Sequence, residues 1–455
     1  MKRTFWIYII PLLLLFAVTL PHLEQGDFRV ETAHYGAVGL QAWQNPSLFW
    51  TLHEHPSVPY FNKPPLVFWI HGLFLHLLGI SLATARIPSI LAAAGCVLLT
   101  VFMTRRFMGR ATALAAGSIL ALSYEFFRRT REISLDMWQL FFMLAAVALW
   151  ITATHTRRRH YAWLAGIPLG LALLCKPLMA FLVPCIFIGW YFAEPSFKFL
   201  RIRDFFGFLM VTLAIALPWH LSMVFLHGEA FTNQYFGHEV IKRMQGHQND
   251  QPLWYYPIEM GKTYWPWMLL LVCGGIRWTR GSVSRHHRQA LTLALIWLVI
   301  WTVALNLFPD KRPRYALPLY PMLAILSGYG LVTLPWRNLR RLSRNKLGLT
   351  GVVIMIVAFT ISVLPIRFQA PPEPALSALV EWAGGQNPAT VYSAALSSVD
   401  ESMLYLKAGY WPTPLSPRAH PPAGSLLIYT DTMTPKPAPS ENSVFQRGPY
   451  RVILK

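Results

Sequence analysis

Acid is what this chain lacks most. Asp and Glu together number 20 in 455 residues against 40 Lys and Arg, and charged residues make up only 13%. Soluble chains carry about 25%, so the shortfall excludes an ordinary soluble globular protein of this length. Cysteine is scarce too: Cys96, Cys175, Cys185 and Cys273 all lie in or beside apolar runs. That leaves no disulfide framework and no zinc-ligand spacing. No glycine-rich nucleotide fingerprint occurs, which argues against a nucleotide-dependent enzyme. Internal repeats and the near-symmetric halves of many transporters are missing as well. No small-x-small cleavage site follows the first apolar run, Phe5 to Leu20; Pro21-His22-Leu23 comes instead. The run is therefore expected to be a retained helix with its N-terminus in the cytoplasm.

Hydrophobic residues, by contrast, make up 54% of the chain. A membrane span needs about 20 largely apolar residues. Runs of that kind lie at 5–20, 84–104, 111–127, 136–154, 160–175, 178–193, 206–226, 263–279, 288–308, 315–333 and 348–365. The shorter run 66–79, with His71 and His76, reads as an interfacial or re-entrant helix. The net charge of +20 does not indicate nucleic acid, because the basic residues alternate with the apolar runs. They cluster at Arg105-Arg106-Arg110, at Arg157-Arg158-Arg159, at Lys198 to Arg203, at Arg277 to Arg288 and at Arg337 to Lys346. Placed inside, these clusters satisfy the positive-inside rule for a multi-pass protein of a bacterial inner membrane.

The fold expected is an all-α polytopic membrane protein of about eleven spans, with a small C-terminal α/β domain. The membrane domain covers 1–366, with outer loops at 21–83 and 227–262; the periplasmic domain covers 367–455. In that tail, a linker at Ala370 to Pro374 precedes a helical pattern from Ala375 to Ala383. Strand-like runs follow at Thr390–Ser393, Ser425–Thr430 and Tyr450–Leu454, with a helix at Asp400–Lys407. Several outer cations run against the rule: Arg128, Arg129, Arg131, Lys311, Arg312 and Arg314. An anionic ligand at the membrane surface, a phosphate above all, gives them a reason to be there.

The first outer loop carries Val30-Glu31-Thr32-Ala33-His34-Tyr35 and, later, Tyr60-Phe61-Asn62-Lys63-Pro64-Pro65. Here the chain resembles the lipid-dependent integral membrane glycosyltransferases, in the branch of the aminoarabinose transferase and the protein mannosyltransferase-like enzymes. Five further stretches are similar to that branch in the same order. They are Ala85-Arg86-Ile87-Pro88-Ser89, Arg131 to Met137, Gly170 to Pro177, Pro218-Trp219 with Tyr264 to Trp267, and Arg312 to Pro318. The resemblance implies a GT-C fold and transfer of a sugar from a polyprenyl-phosphate donor to a lipid, glycan or protein acceptor. In register, Glu31 falls on the family's catalytic acid, Thr32 on the acid after it, and His34-Tyr35 on its Arg-Tyr pair. Asn62 stands where the family often has glutamate, and Glu31 replaces the commoner aspartate. These departures weaken aminoarabinose as the expected sugar.

The chemistry of the residues agrees with that reading. Such a transfer needs a base for the acceptor and cations for the departing phosphate. Glu31 is the expected base and Asp136 the second catalytic acid; otherwise Asp136 caps its helix and pairs with Arg131 or Arg128. Arg312 and Arg314 are the expected phosphate ligands, with Arg128, Arg131, Lys176 and Arg243 in support. His34, Tyr35, Tyr60, Asn62, Lys63 and Tyr315 complete the expected substrate contacts. No cofactor is obligatory, since protein cations hold the leaving group; a divalent metal is permitted but not required. His53-Glu54-His55 is read as a solvated loop rather than a metal site. Gly166 and Gly170 are read as helix packing. The Trp254–Tyr256 run fits an interfacial belt in which some rings line a sugar pocket. The rival function is a flippase of lipid-linked sugars.

Overall fold

The computed structural model describes residues 2–26, 28, 30–194, 199–242, 251–280, 284–334, 374–386, 391–394, 396–409, 411–415, 421–422, 425–430 and 443–454. The basic segment 337–346, the run 348–365 and Arg243 lie outside the described residues. The chain divides into two compact units. One comprises Met1–His22, Phe61–Leu66 and Ser89–Ile366; the other comprises Leu23–Tyr60, Val67–Pro88 and Arg367–Lys455.

The first unit is helical. Among the described residues five helices are long and apolar enough to cross a membrane: Phe5–His22, Leu82–Ala121, Leu135–Thr156, Ile202–Gly237 and Arg285–Leu307. Leu82–Ala121 is parted at Gly109, whose backbone is non-helical with φ 83°, and this matches the break expected between the runs at 84–104 and 111–127. The runs at 160–175, 178–193 and 315–333 give helices of 10–17 residues. At 1.5 Å per residue these are shorter than the ~30 Å hydrocarbon layer. Phe192, Phe225 and Leu307 stay exposed on helix faces at 78%, 83% and 72%, a surface suited to hydrocarbon.

Glycine decides how closely the helices pack. A Cβ on Gly166 would lie 2.4 Å from the Phe208 carbonyl oxygen, and one on Gly170 2.8 Å from that of Thr212. The pair therefore packs Gly166–Leu173 against Ile202–Thr232, as the sequence suggested. Gly330 comes closer still: its Cβ would meet the Leu270 carbonyl oxygen at 1.9 Å.

In the second unit the helix Val30–Gln44 crosses Leu66–Leu78 at a glycine–glycine contact. A Cβ on Gly72 would sit 2.1 Å from the Gly39 oxygen, a backbone atom that cannot turn aside. Gly72→Ala is expected to cost about 2 kcal/mol or more from overpacking, lowering the melting temperature in detergent. An unchanged melting curve would mean that the two helices separate at no cost. Trp43 donates through Nε1 to the Trp69 carbonyl at 2.7 Å, and Trp69 to that of Phe49 at 2.9 Å.

The tail residues of this unit build a five-stranded sheet. Its strands are β3 (Val391–Ala394), β4 (Thr413–Pro414), β5 (Leu426–Thr430), β6 (Ser443–Arg447) and β7 (Tyr450–Leu454), in the order β4-β3-β5-β7-β6. Pairing is parallel from β4 to β5 and antiparallel beyond. Ala394, Leu427 and Ile453 form a core cluster on it. The helix Ser398–Ala408 opens with a capping box between Ser397 and Asp400 and closes at Gly409, φ 87°. It packs on Val30–Gln44, and the Tyr405 hydroxyl donates to Gln44 Oε1. His53–His55 is not a solvated loop. It forms the short strand β1, paired with β2 (Val58–Pro59) and half-buried, with the His55 ring 5.8 Å from that of Trp411.

Candidate active site

In the first unit the site begins with Ser89. Its Oγ donates to the Glu132 carbonyl at 2.7 Å and accepts from the Ser134 N–H at 3.1 Å. That fixes the turn into Leu135–Thr156, whose N-cap is Ser134, with Oγ accepting from the Met137 N–H at 3.2 Å. Asp136 therefore does not cap its helix. Its partners are also distant in sequence: Lys176 Nζ lies 2.8 Å from Oδ1 and Arg314 Nε 3.9 Å from Oδ2.

Lys176 is fixed at both ends. Its ammonium meets Asp136 and lies 4.4 Å from the centre of the Tyr315 ring, while its carbonyl accepts from Gln139 Nε2. Asp136 and Gln139 stand three residues apart on one helix and so face the same way. Arg314 also lies over Tyr315, at 5.8 Å. Beside them opens a cleft of about 690 Å³, part of it open to solvent. Its lining combines Lys63, Lys176, Asp310, Asn62 and the rings of Tyr235, Tyr256 and Tyr315 with the apolar Leu178, Met179, Leu305 and Phe308. Asn62 Oδ1 accepts from Gln234 Nε2 at 2.5 Å, and Asp310 faces Arg312 at 3.7 Å. The Tyr256 hydroxyl donates to the Arg312 carbonyl at 3.5 Å, and burial raises its pKa. The cations Lys63, Lys176, Arg312 and Arg314 thus outnumber the carboxylates Asp136 and Asp310.

The outer arginines behave differently. Arg128 lies 3.5 Å from Glu125, and Arg129 is buried against Glu125 at 2.6 Å and against Glu132. Burial opposes the Arg129 charge, but Glu132 and Glu125 outweigh it and raise its pKa. Arg131 is buried, and the Lys311 ammonium donates to the Gln251 carbonyl at 2.8 Å. The Glu125–Arg129 spacing of four was visible in the sequence. Tyr235, Gln234, Gln139 and Asp310 were missed, because single polar residues carry no periodic signal; Tyr256 came from the aromatic run.

The second unit carries the remaining motif residues. Glu31 is half-buried in the first turn of Val30–Gln44, with His34 and Tyr35 on the same face. The His34 ring lies 5.3 Å from Tyr60, and both Tyr60 and Tyr35 pack edge-on against Phe68. Arg86 is buried and donates to the Leu23 carbonyl at 2.6 Å and the Gln25 carbonyl at 2.9 Å, a structural task.

Burial lowers the His34 pKa from 6.5 to about 4. The ring is therefore neutral at pH 7 and does not serve as a phosphate cation. Between these values the unfolded chain binds the proton more readily. Stability from the neutral ring is complete above about pH 6.5 and is lost as pH falls toward 4. The melting temperature in detergent is expected to drop between pH 7 and pH 5, and His34→Asn to reduce that drop. An equal drop in the variant would place the titration elsewhere.

Residues 62–221 match the family described as dolichyl-phosphate-mannose-protein mannosyltransferase. Undecaprenyl phosphate-alpha-4-amino-4-deoxy-L-arabinose arabinosyl transferase 1 of Pseudomonas fluorescens is 29% identical over 62% of this chain. The chain spans only 52% of that relative's length. The crystal structure of ArnT from Cupriavidus metallidurans bound to undecaprenyl phosphate is similar with a TM-score of 0.78. That match covers 99% of this chain and 98% of that one at 15% identity. The archaeal oligosaccharyltransferase AglB from Archaeoglobus fulgidus gives 0.61, over 90% of this chain and 64% of that one at 13% identity. The chain therefore has the GT-C fold of the lipid-dependent integral membrane glycosyltransferases and resembles, among them, the aminoarabinose transferases.

Proposed function

We propose that this protein transfers a sugar from a polyprenyl-phosphate donor to a lipid, glycan or protein acceptor at the periplasmic face of a bacterial inner membrane. The observation that carries the reading is the cleft of the first unit. Its lining offers Lys63 and Lys176, backed by Arg314, together with the apolar Leu178, Met179, Leu305 and Phe308. A phosphate ester with a hydrocarbon tail combines the same two characters.

The reaction is an inverting displacement. Glu31 takes the proton of the acceptor nucleophile, which forms a bond to the anomeric carbon as the bond from that carbon to the phosphate oxygen breaks. Polyprenyl phosphate leaves with the electron pair, its growing negative charge met by Lys63, Lys176, Arg312 and Arg314. Asp136, with a cation at each oxygen, acts as a positioning residue for Lys176 and Arg314. Glu31 rests on its register with the family motif. Tyr35 and Tyr60 are assigned to the acceptor on the same basis, and Arg128, Arg131 and Arg243 are secondary anion contacts. Protein cations do the work at the phosphate, so no metal is required.

The test uses the purified full chain in lipid vesicles with radiolabelled undecaprenyl-phosphate sugars and membrane extract. Label moving to an acceptor is the expected result. Labelled lipid crossing the bilayer without transfer would overturn the reading in favour of the flippase.

A further inference from the structure

Positive charge predominates in the lining of the cleft. Its ammonium groups are Lys63 and Lys176, and the sole carboxylate among the described lining residues is Asp310. Asp310 already faces Arg312 at 3.7 Å. The other carboxylates nearby in this unit are matched too: Asp136 by Lys176 and Arg314, and Glu125 and Glu132 by Arg129. An ammonium group entering here would have to displace a cation from an existing pair. It would do so beside two lysines of its own sign.

What the cleft offers instead is neutral hydrogen bonding. Asn62 and Gln234 are joined by one bond, from Gln234 Nε2 to Asn62 Oδ1 at 2.5 Å. An amide carries both donors and an acceptor, so with its Oδ1 engaged by Gln234 the cleft-lining Asn62 still has its amide N–H groups to donate. Those are complements for adjacent sugar hydroxyls. Tyr235 and Tyr256 line the same cleft, and the Tyr235 hydroxyl lies 3.0 Å from His220 Nε2.

We infer that the donor sugar is uncharged, a neutral hexose or pentose, and not an amino sugar such as that named for the Pseudomonas fluorescens relative. The juxtaposition of the Asn62–Gln234 amide pair with Lys63 and Lys176 carries this inference. It rests on the reading of the cleft as the donor site. Asn62 is its specificity residue.

The experiment measures displacement of radiolabelled undecaprenyl phosphate from the purified full chain. Competitors are undecaprenyl phosphate carrying a neutral hexose, a neutral pentose or a 4-amino pentose. At least one neutral donor is expected to compete about tenfold or more better than the amino donor, since a charged group left unmatched costs that much or more. Asn62→Glu places a carboxylate beside the cleft and is expected to narrow or reverse that ratio by about tenfold. Asn62→Asp, shorter by a methylene, is the second variant should the first not fold. Equal or better competition by the amino donor in the wild type overturns the inference, and so does a failure of every donor to compete. Transfer is scored separately. Neutral-donor binding without transfer keeps the inference and removes the transferase.

Discussion

Replacing Glu31 with glutamine is expected to lower sugar transfer by about 10²–10⁴-fold, the range that a positioned base contributes. Glutamine keeps the shape of the side chain and its place in the first turn of Val30–Gln44, so the helix and its crossing at Gly39 stay intact. It cannot accept the acceptor's proton. Donor retention, read by displacement of labelled undecaprenyl phosphate, is expected to stay near wild type, because none of the phosphate cations is touched. Loss of the maximal rate with an unchanged Kd for donor is the signature sought. Full activity in Glu31→Gln would remove it from the chemistry and direct attention to the other carboxylates.

The second large effect belongs to Lys176. Lys176→Met keeps the aliphatic stem and removes the ammonium that lies 2.8 Å from Asp136. Transfer is expected to fall about 10²–10³-fold, as when one preorganised donor is lost from a developing anion. Donor binding should weaken as well, which separates this variant from Glu31→Gln. Asp136→Asn leaves Lys176 and Arg314 without the carboxylate between them. If Asp136 acts only by placing those cations, Asp136→Asn combined with Lys176→Met should be far less than additive. Additive losses would instead give Asp136 a contact with the reacting groups. Wild-type donor affinity in Lys176→Met would refute the phosphate assignment.

These contacts also mark where reading the sequence stopped. The tail was legible because its signals are local. The helix expected at 375–383 is Pro374–Gly384, the run at 390–393 is Val391–Ala394, and the run at 450–454 is Tyr450–Leu454. Strand β6 escaped notice since its residues lie mostly exposed at a sheet edge, where no alternation is required. The break between the runs 84–104 and 111–127 was legible too: Gly109, with φ 83°, lies in the basic stretch Arg105 to Arg110 that separates them. For the site, the sequence pointed to Asp136, Lys176, Arg314 and Tyr315 one at a time. It paired Asp136 with neighbouring arginines, because proximity in sequence is all it can offer. The true partners are 40 residues away and farther, and only helix packing brings them together. Glu125 and Glu132 engage Arg128 and Arg129, so part of the outer positive charge is answered within the protein.

The grip on Lys176 bears on entropy. A free lysine side chain samples many rotamers, and fixing it costs up to about 2 kcal/mol. Here Asp136 holds the ammonium, Tyr315 lies under it, and Gln139 fixes the carbonyl. That freedom is lost when the protein folds, before any anion arrives. A phosphate entering the cleft meets a charge already immobile, so its affinity is not reduced by ordering the side chain. Loosening the grip at Tyr315 alone, with every charge retained, would return part of that disorder to the unbound state and make binding entropically more costly.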